Sequence, residues 1–469
     1  MLVASNKPKV SGRIRWLAVS VFFITALTGA RIDFGPLPIY LVDGFIAVAL
    51  ILVLRNPRIP MRTIQPIYLF SAIYFCTIIV SEINGAFSYG LVLEPIYMIV
   101  RYGLGISLVI ILPRLIAKPF EFLIILKAAL AGLLVTSLIT ILSSLPPTRP
   151  LVMDTVFSWN ILAPSMSARG LERQIMLWGE DAALRGNSLV GSANMTGGFL
   201  CTLLPIAFIA YRSFKHERRW RSIALLACVF APLGAFATYS RAAWFGVGLI
   251  VIVVGFLGYL KGRHLLIFVC LVGILLIFAT DIPRQWFFFE HIGRRTQSML
   301  TDPLESRGDR ERFLSYYEPF QHFIENPSWL FVGAGCAGNK MMGRGELDDL
   351  VFDLEERATH SAFSMAYYNF GMVGAVCHIT LMVFAFALIL KNMRRTRYHK
   401  EEHFIWQSLL AVWLGMTPWW LFGHSAASIP RGSMFFFLIF GFLLTLEKLR
   451  KDKNKQHTSR MSTTRRYRY

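Results

Sequence analysis

Three residues of this 469-residue chain have the type and setting to act on a substrate: Arg241, Arg312 and His360. Arg241 stands in ATYSRAAWFG between two apolar runs. A full positive charge there is costly unless it faces a cavity, binds an anion, or reaches along its own stem to the membrane edge. Its planar fork of donors suits two phosphate oxygens at once. Arg312, in SRGDRERFLSYY, flanks the apolar stripe Phe313, Tyr317, Phe320 and Ile324 of an expected amphipathic helix. Arg307 and Arg310 are close rivals, and a solvated helix face is the alternative. Arg185 precedes a long apolar run, with Asn194 inside it, in LRGNSLVGSANMTGGF. His360 opens another run in ATHSAFSMAYYNFGMVGAV. At the water-exposed mouth of a bundle a histidine can take a proton near neutral pH, or simply line an interface. His424 is a weaker second candidate.

Together these positions describe a cationic site with one base at membrane depth. That suits a substrate that is half lipid and half anion, such as a polyprenyl diphosphate carrying sugar. A diphosphate can leave without a protonating acid when arginines stabilise its charge. The acceptor hydroxyl then needs only a base. No DxD-like carboxylate pair stands out and Glu346–Asp349 reads as a solvated loop, so transfer without a metal or other cofactor is expected. The six cysteines have neither CxxC nor metal-ligand spacing. GAGCAG, from Gly333 to Gly338, fits a dinucleotide pattern but lacks a βαβ context and is expected to form a tight turn.

The elements that must position these residues follow from composition. The chain is 55% hydrophobic and only 16% charged, against about a quarter charged in an average soluble domain. Apolar stretches long enough to cross a bilayer recur near 16–30, 37–54, 65–80, 87–112, 120–144, 189–211, 222–240, 242–260, 264–280, 360–390, 404–422 and 433–446. The expected fold is therefore all-α, a polytopic integral membrane protein of about twelve transmembrane helices. Its parts are an N-terminal membrane bundle over 1–280 with an outside loop at 145–188, a large outside loop over 281–359 carrying amphipathic helices, C-terminal spans over 360–446, and a basic tail over 447–469.

The formal charge of +20 sets the orientation. With the N-terminus in the cytoplasm, the segments 1–15, 55–64, 113–119, 212–221, 261–263, 391–403 and 447–469 lie inside. They hold 30 Lys and Arg against five acids, while the outside is slightly acidic. Both termini are thus expected in the cytoplasm and the site on the outer face. The basic surplus faces anionic lipid heads at the cytoplasmic surface, and no nucleic-acid partner is implied. Arg101 falls mid-span and needs a counter-ion, for which Glu94, two turns earlier, is the candidate.

Four motifs, in this order, resemble the O-antigen ligase and O-antigen polymerase superfamily of bacterial polyprenyl-diphosphate-dependent membrane glycosyltransferases. They are Ser192-Ala193-Asn194 after Arg185, SRAAW at 240–244, Arg312 and Tyr316 followed by ENP and the Gly333–Gly335 turn, and His360 with NFGMVGAV. The chain departs from the family pattern at Ser361, where Asn is frequent, and at Tyr316, where Trp is usual. The resemblance implies a GT-C-like fold and inversion at the anomeric carbon. It implies that Arg241 and Arg312 bind the donor diphosphate, that His360 activates the acceptor hydroxyl, and that Arg185 is a secondary contact. Asn194, Arg310 and Tyr316 complete the expected substrate-binding set. The implied partners are a polyprenyl-diphosphate-linked oligosaccharide donor and a glycan or lipid-linked glycan acceptor. Polymerisation of repeats into O-antigen or exopolysaccharide is the first expectation. Ligation of the finished glycan to lipid A core or another acceptor is the second. A lipid-linked sugar transporter, which needs polar groups along a transmembrane path, is the third.

Overall fold

The computed structural model describes residues 10–34, 37–55, 66–90, 92–145, 147–152, 155, 185–191, 193–256, 324, 327–336, 362–422 and 430–466. The described elements are α1 (Gly12–Ala26), a hairpin of β1 (Arg31–Phe34) and β2 (Leu37–Tyr40), then α2 (Leu41–Leu54), α3 (Pro66–Tyr89), α4 (Leu93–Leu115), α5 (Pro119–Ser144) and α6 (Arg149–Val152). After these come α7 (Ala193–Ser213), α8 (Arg218–Ala237), α9 (Arg241–Phe256), α10 (Trp329–Val332), α11 (Ala362–Arg395), α12 (Lys400–Phe422) and α13 (Pro430–Arg466).

Among the described residues, seven helices are long and apolar enough to cross a membrane: Pro66–Ser88, Leu93–Leu115, Pro119–Ser144, Ala193–Ser213, Arg218–Ala237, Ala366–Arg395 and Gly432–Asn454. Leu41–Leu54 and Ala242–Val254 are shorter apolar helices. The chain is thus mostly helical and built as a multi-pass membrane protein. The expected span 264–280 lies outside the described residues. The all-α expectation is corrected at 31–40, where β1 and β2 pair antiparallel with Arg31 opposite Tyr40. Pro38 cannot donate a backbone hydrogen bond, and a two-stranded ribbon tolerates it because each strand is an edge. The second span consequently begins as helix only at Leu41.

Helix ends follow local chemistry. Ser11 caps α1, its hydroxyl accepting the Ile14 N–H at 3.4 Å. Glu121 turns back on the start of α5, where its Oε2 accepts from Ala117 N at 2.7 Å and Lys118 N at 3.0 Å. The last carbonyls of α4 have no intrahelical donors. The Lys448 ammonium serves them, at 2.7 Å from Pro113 O and 3.1 Å from Ile116 O.

α7 and the first part of α13, over 432–446, are apolar nearly all round and sit at the centre, as such helices must. Phe435, Phe436, Phe437 and Phe440 of α13 are buried against Phe199, Tyr74, Trp413 and Trp420. Close approach near the centre uses small residues, as at Gly246 on α9, where a Cβ would stand 2.7 Å from the Gly415 carbonyl of α12. α3, α8 and α11 leave Leu69, Ile73, Leu225, Val229, Val376 and Val383 exposed. Without water to face, such apolar stripes suit lipid.

The described parts of 113–119, 212–221, 391–403 and 447–469, all read as cytoplasmic, meet at one end of the bundle. Lys127 pairs with Glu217 at 2.5 Å, Lys215 with Glu401 at 2.6 Å, and Lys453 with Glu402 at 2.6 Å. The Lys215 hydrogen bond holds the Glu401 carboxyl below the usual carboxylate range. Described parts of the segments read as outside, 185–188 and 327–336, join the opposite ends of these helices. There Gly29 N donates to Leu189 O at 2.7 Å and Asn187 N to Ser143 Oγ at 2.9 Å. Ala334 N donates to Tyr368 O at 3.1 Å at this same end.

Two further sequence expectations are corrected. The counter-ion of Arg101 is Asp43 of α2, at 3.0 Å, and the guanidinium also lies 3.8 Å from the centre of the Tyr40 ring. Two helical turns carry Glu94 about 10 Å along the axis from Arg101, whereas α2 packs directly against α4. Secondly, α3 does not end near residue 80 but continues to Tyr89, so Glu82 lies within the helix and is wholly buried. The tight-turn reading of GAGCAG holds in its described part: Gly333 and Gly335 have φ of 79° and 70°, open to glycine without strain.

Candidate functional site

The segment 185–191 enters the bundle between α5 and α8 and leads into α7. Gly186 N donates to Ala237 O at 2.8 Å, at the carbonyl end of α8. Arg185 lies over that same end, its Nε donating to Thr238 O at 3.1 Å. A guanidinium at a helix C-terminus satisfies an orphan carbonyl and opposes the negative end of the helix dipole. From the same side chain, Nη2 donates to Asn194 Oδ1 on the first turn of α7. One guanidinium therefore joins the end of α8 to the beginning of α7.

The turn after Thr238 is tightly built. Tyr239 adopts a φ of 52°, uncommon for a residue with a side chain, and Ser240 N donates to Thr238 Oγ1 at 3.2 Å. Trp244 Nε1 reaches back to Phe236 O at 3.2 Å. α9 then starts at Arg241, whose backbone this turn fixes. Gly197 lets α7 approach: a Cβ there would stand 2.7 Å from Thr238 Oγ1 and 2.8 Å from the Ala243 Cβ. The N-terminal turns of α7 and α9 thereby come together beside Arg185. The first N–H groups of a helix have no acceptor within it, and such an end carries a partial positive charge that suits an anion.

A second hydrogen-bonded layer holds the approach segment. Ser188 Oγ and Thr196 Oγ1 are 3.0 Å apart, Val190 N donates to Ser188 Oγ at 3.1 Å, and Thr196 Oγ1 donates to Gly191 O at 3.2 Å. Ser143 Oγ donates to Asn187 O at 2.8 Å. These bonds tie 185–191 to α5 and α7, so Arg185 sits on a rigid support rather than on a free loop.

Of the residues named from sequence, the fold brings together Arg185, Asn194 and the backbone of Arg241. Arg310, Arg312, Tyr316 and His360 lie outside the described residues, as does His424. α11 is described from Ala362, two positions after His360. Sequence reasoning passed over the buried polar residues Glu82, Asn369 and His378, which lie within α3 and α11. An acid, an amide and a histidine inside apolar runs were the available signal, since polar groups at membrane depth require partners.

The fold defines a class: a multi-pass helical membrane protein in which one guanidinium, that of Arg185, joins the end of α8 to the start of α7. Residues 198–379 match the family model described as O-Antigen ligase, and the match supports the O-antigen ligase and polymerase superfamily for this chain. The matched segment runs from α7 to the middle of α11 and takes in Arg241, Arg310, Arg312, Tyr316 and His360, while Arg185 and Asn194 precede it. Among curated proteins, none matches the chain.

Proposed function

We propose that this protein is a metal-independent, inverting membrane glycosyltransferase that polymerises polyprenyl-diphosphate-linked oligosaccharide repeats on the outer face of the bacterial cytoplasmic membrane. The observation that carries this reading is the Arg185 guanidinium spanning Thr238 and Asn194 directly before Arg241. That arrangement supports a diphosphate site in which Arg241 and Arg312 take the developing charge on the leaving group. Arg185, Asn194, Arg310 and Tyr316 line its approach. His360 removes the proton from the acceptor hydroxyl as that oxygen attacks the anomeric carbon from the face opposite the diphosphate. Attack from the opposite face inverts the centre. No acid is required, because the diphosphate leaves as an anion held by arginine.

In this reading the bundle has about twelve spans in a GT-C-like arrangement, with both termini in the cytoplasm. The basic end described above faces the cytoplasm and its anionic lipid heads, in keeping with the rule that Lys and Arg stay inside. The junction at Arg185 then faces outward. Ligation to lipid A core or another acceptor is the second reading, favoured by the description of the matched family model.

Deletion of the gene separates the two. Loss of long chains, with single repeats still attached to the acceptor, supports polymerisation. Accumulation of long lipid-linked chains supports ligation. Elongation of lipid-linked repeats by purified protein in detergent, without any gradient, distinguishes either from transport. If neither glycan phenotype follows deletion, the proposal fails.

The role given to Arg185 has its own expected outcome. Arg185→Ala should lower transfer about tenfold, the scale of a lost charge-assisted hydrogen bond. Arg185→Lys should recover little of this, since one ammonium cannot hold the Thr238 carbonyl and Asn194 in the same fork. Full activity in the lysine variant would remove the geometric part of this argument.

A further inference from the structure

α3 lies outside the family-matched segment, yet its outer end grips that segment tightly. Glu82 Oε1 accepts the Cys336 backbone N–H at 2.6 Å, and Asn84 Nδ2 donates to Gly333 O at 2.9 Å. Ser81 Oγ donates to Val332 O in the same row. Three polar side chains within one helical turn thus take up the backbone of a single short turn. On its other side that turn holds α11. Ala334 N donates to Tyr368 O at 3.1 Å, and Asn369 Nδ2 lies 3.2 Å from Cys336 Sγ. Tyr102 of α4 closes the cluster, its hydroxyl 3.1 Å from the same sulfur.

The wedge is only a backbone thick. A Cβ at Gly333 would stand 2.4 Å from the Asn369 carbonyl oxygen, and one at Gly335 would stand 2.8 Å from that of Ser81. At the level of this contact α11 itself breaks helical geometry, at Gly371, with φ 66° and ψ −173°. A Cβ at Gly371 would lie 2.3 Å from Phe331 O, so the break and the turn fit one another. Glu82 is 0% exposed. An acid in an apolar bundle is retained at such a place only with its hydrogen bonds made.

We propose that Glu82 is a positioning residue: with Ser81 and Asn84 it clasps the 332–336 turn to α3 and thereby fixes the outer end of α11, the helix that His360 leads into. The reaction it serves is the transfer proposed above, so this inference rests on that reading for its consequence but not for the clasp itself. In the clasp Glu82 acts as a hydrogen-bond acceptor.

The test uses full-length protein in detergent and two readouts. Hydrogen exchange of the 329–336 segment reports the clasp directly. Glu82→Ala should speed exchange there about tenfold, and Glu82→Gln, whose amide oxygen can accept the same N–H, should stay near wild type. Asn84→Ala, a milder change, should move exchange in the same direction by less. In elongation of lipid-linked repeats, Glu82→Ala should lower kcat about tenfold with KM for the donor nearly unchanged, and Glu82→Gln should restore kcat. Unchanged exchange in both alanine variants overturns the clasp. A glutamine variant as impaired as alanine overturns the acceptor role in favour of the charge. Faster exchange with undiminished kcat overturns the positioning role. If wild-type protein transfers no glycan, the reaction reading fails while the exchange experiment still decides the clasp.

Discussion

Replacing Arg241 with alanine is expected to lower glycan transfer by about 10²–10³-fold, the effect of removing one preorganised donor from a developing oxyanion. The described geometry around it concerns the backbone at the start of α9. Arg241 opens α9 immediately after a turn that is pinned through Thr238 by Arg185 at 3.1 Å and closed by Trp244 on Phe236. In the proposed site, a helix start held in this way leaves little backbone reorganisation for the step in which the diphosphate departs. Arg241→Lys should recover only part of the rate, because an ammonium is a point charge and cannot bind two phosphate oxygens in a plane. Arg312→Ala and His360→Ala should cause losses of similar scale, for His360 by about 10²–10⁴-fold as a general base. The measurement is polymer or ligated glycan per unit of membrane-inserted protein for each single variant. Normal output from all three alanine variants would falsify the site.

The second large effect is on stability. Arg101→Ala is expected to cost about 3–5 kcal/mol, the range found when one partner of a buried ion pair is removed. Arg101 is 5% exposed and Asp43 14% exposed, and they are 3.0 Å apart between α4 and α2. Alanine would take from the Asp43 carboxylate the guanidinium at 3.0 Å and would also strip it from the face of Tyr40, 3.8 Å away. Changing both residues together, to Arg101→Leu with Asp43→Leu, should recover most of the loss, since the desolvation cost of both charges disappears. Thermal unfolding in detergent checks both. If the Arg101→Ala protein melts with wild type, the pair contributes nothing and this account of the α2–α4 contact is wrong.

Several elements were legible in the sequence because their causes are local. Span length comes from bilayer thickness, so the helices over 93–115, 119–144 and 193–213 fall close to the runs read from hydropathy. Loop charge identified the segments that gather at one end, as the pairs Lys215–Glu401 and Lys453–Glu402 illustrate. Gly333 and Gly335 announced a tight turn, since only glycine enters positive φ without strain. The association of Arg185 with Asn194 was visible as neighbouring motifs nine positions apart.

What escaped the sequence was the partner of each polar group. Arg101 finds Asp43 58 positions away, Arg185 finds Thr238 53 positions away, and Glu82 finds Cys336 254 positions away. Hydropathy ended α3 before Glu82 because it scores an acid as a cost and has no term for the distant N–H that offsets it. By itself, then, the sequence determined that this chain carries many apolar runs long enough to cross a membrane and which of its connecting segments are basic. Those properties depend on length, period and charge within a single stretch. Only the tertiary structure decided how α7, α8 and α9 converge at Arg185, and which buried charges are satisfied. Hydrogen bonds and ion pairs act over about 3 Å, and helix packing alone brings residues from remote parts of the chain within that reach.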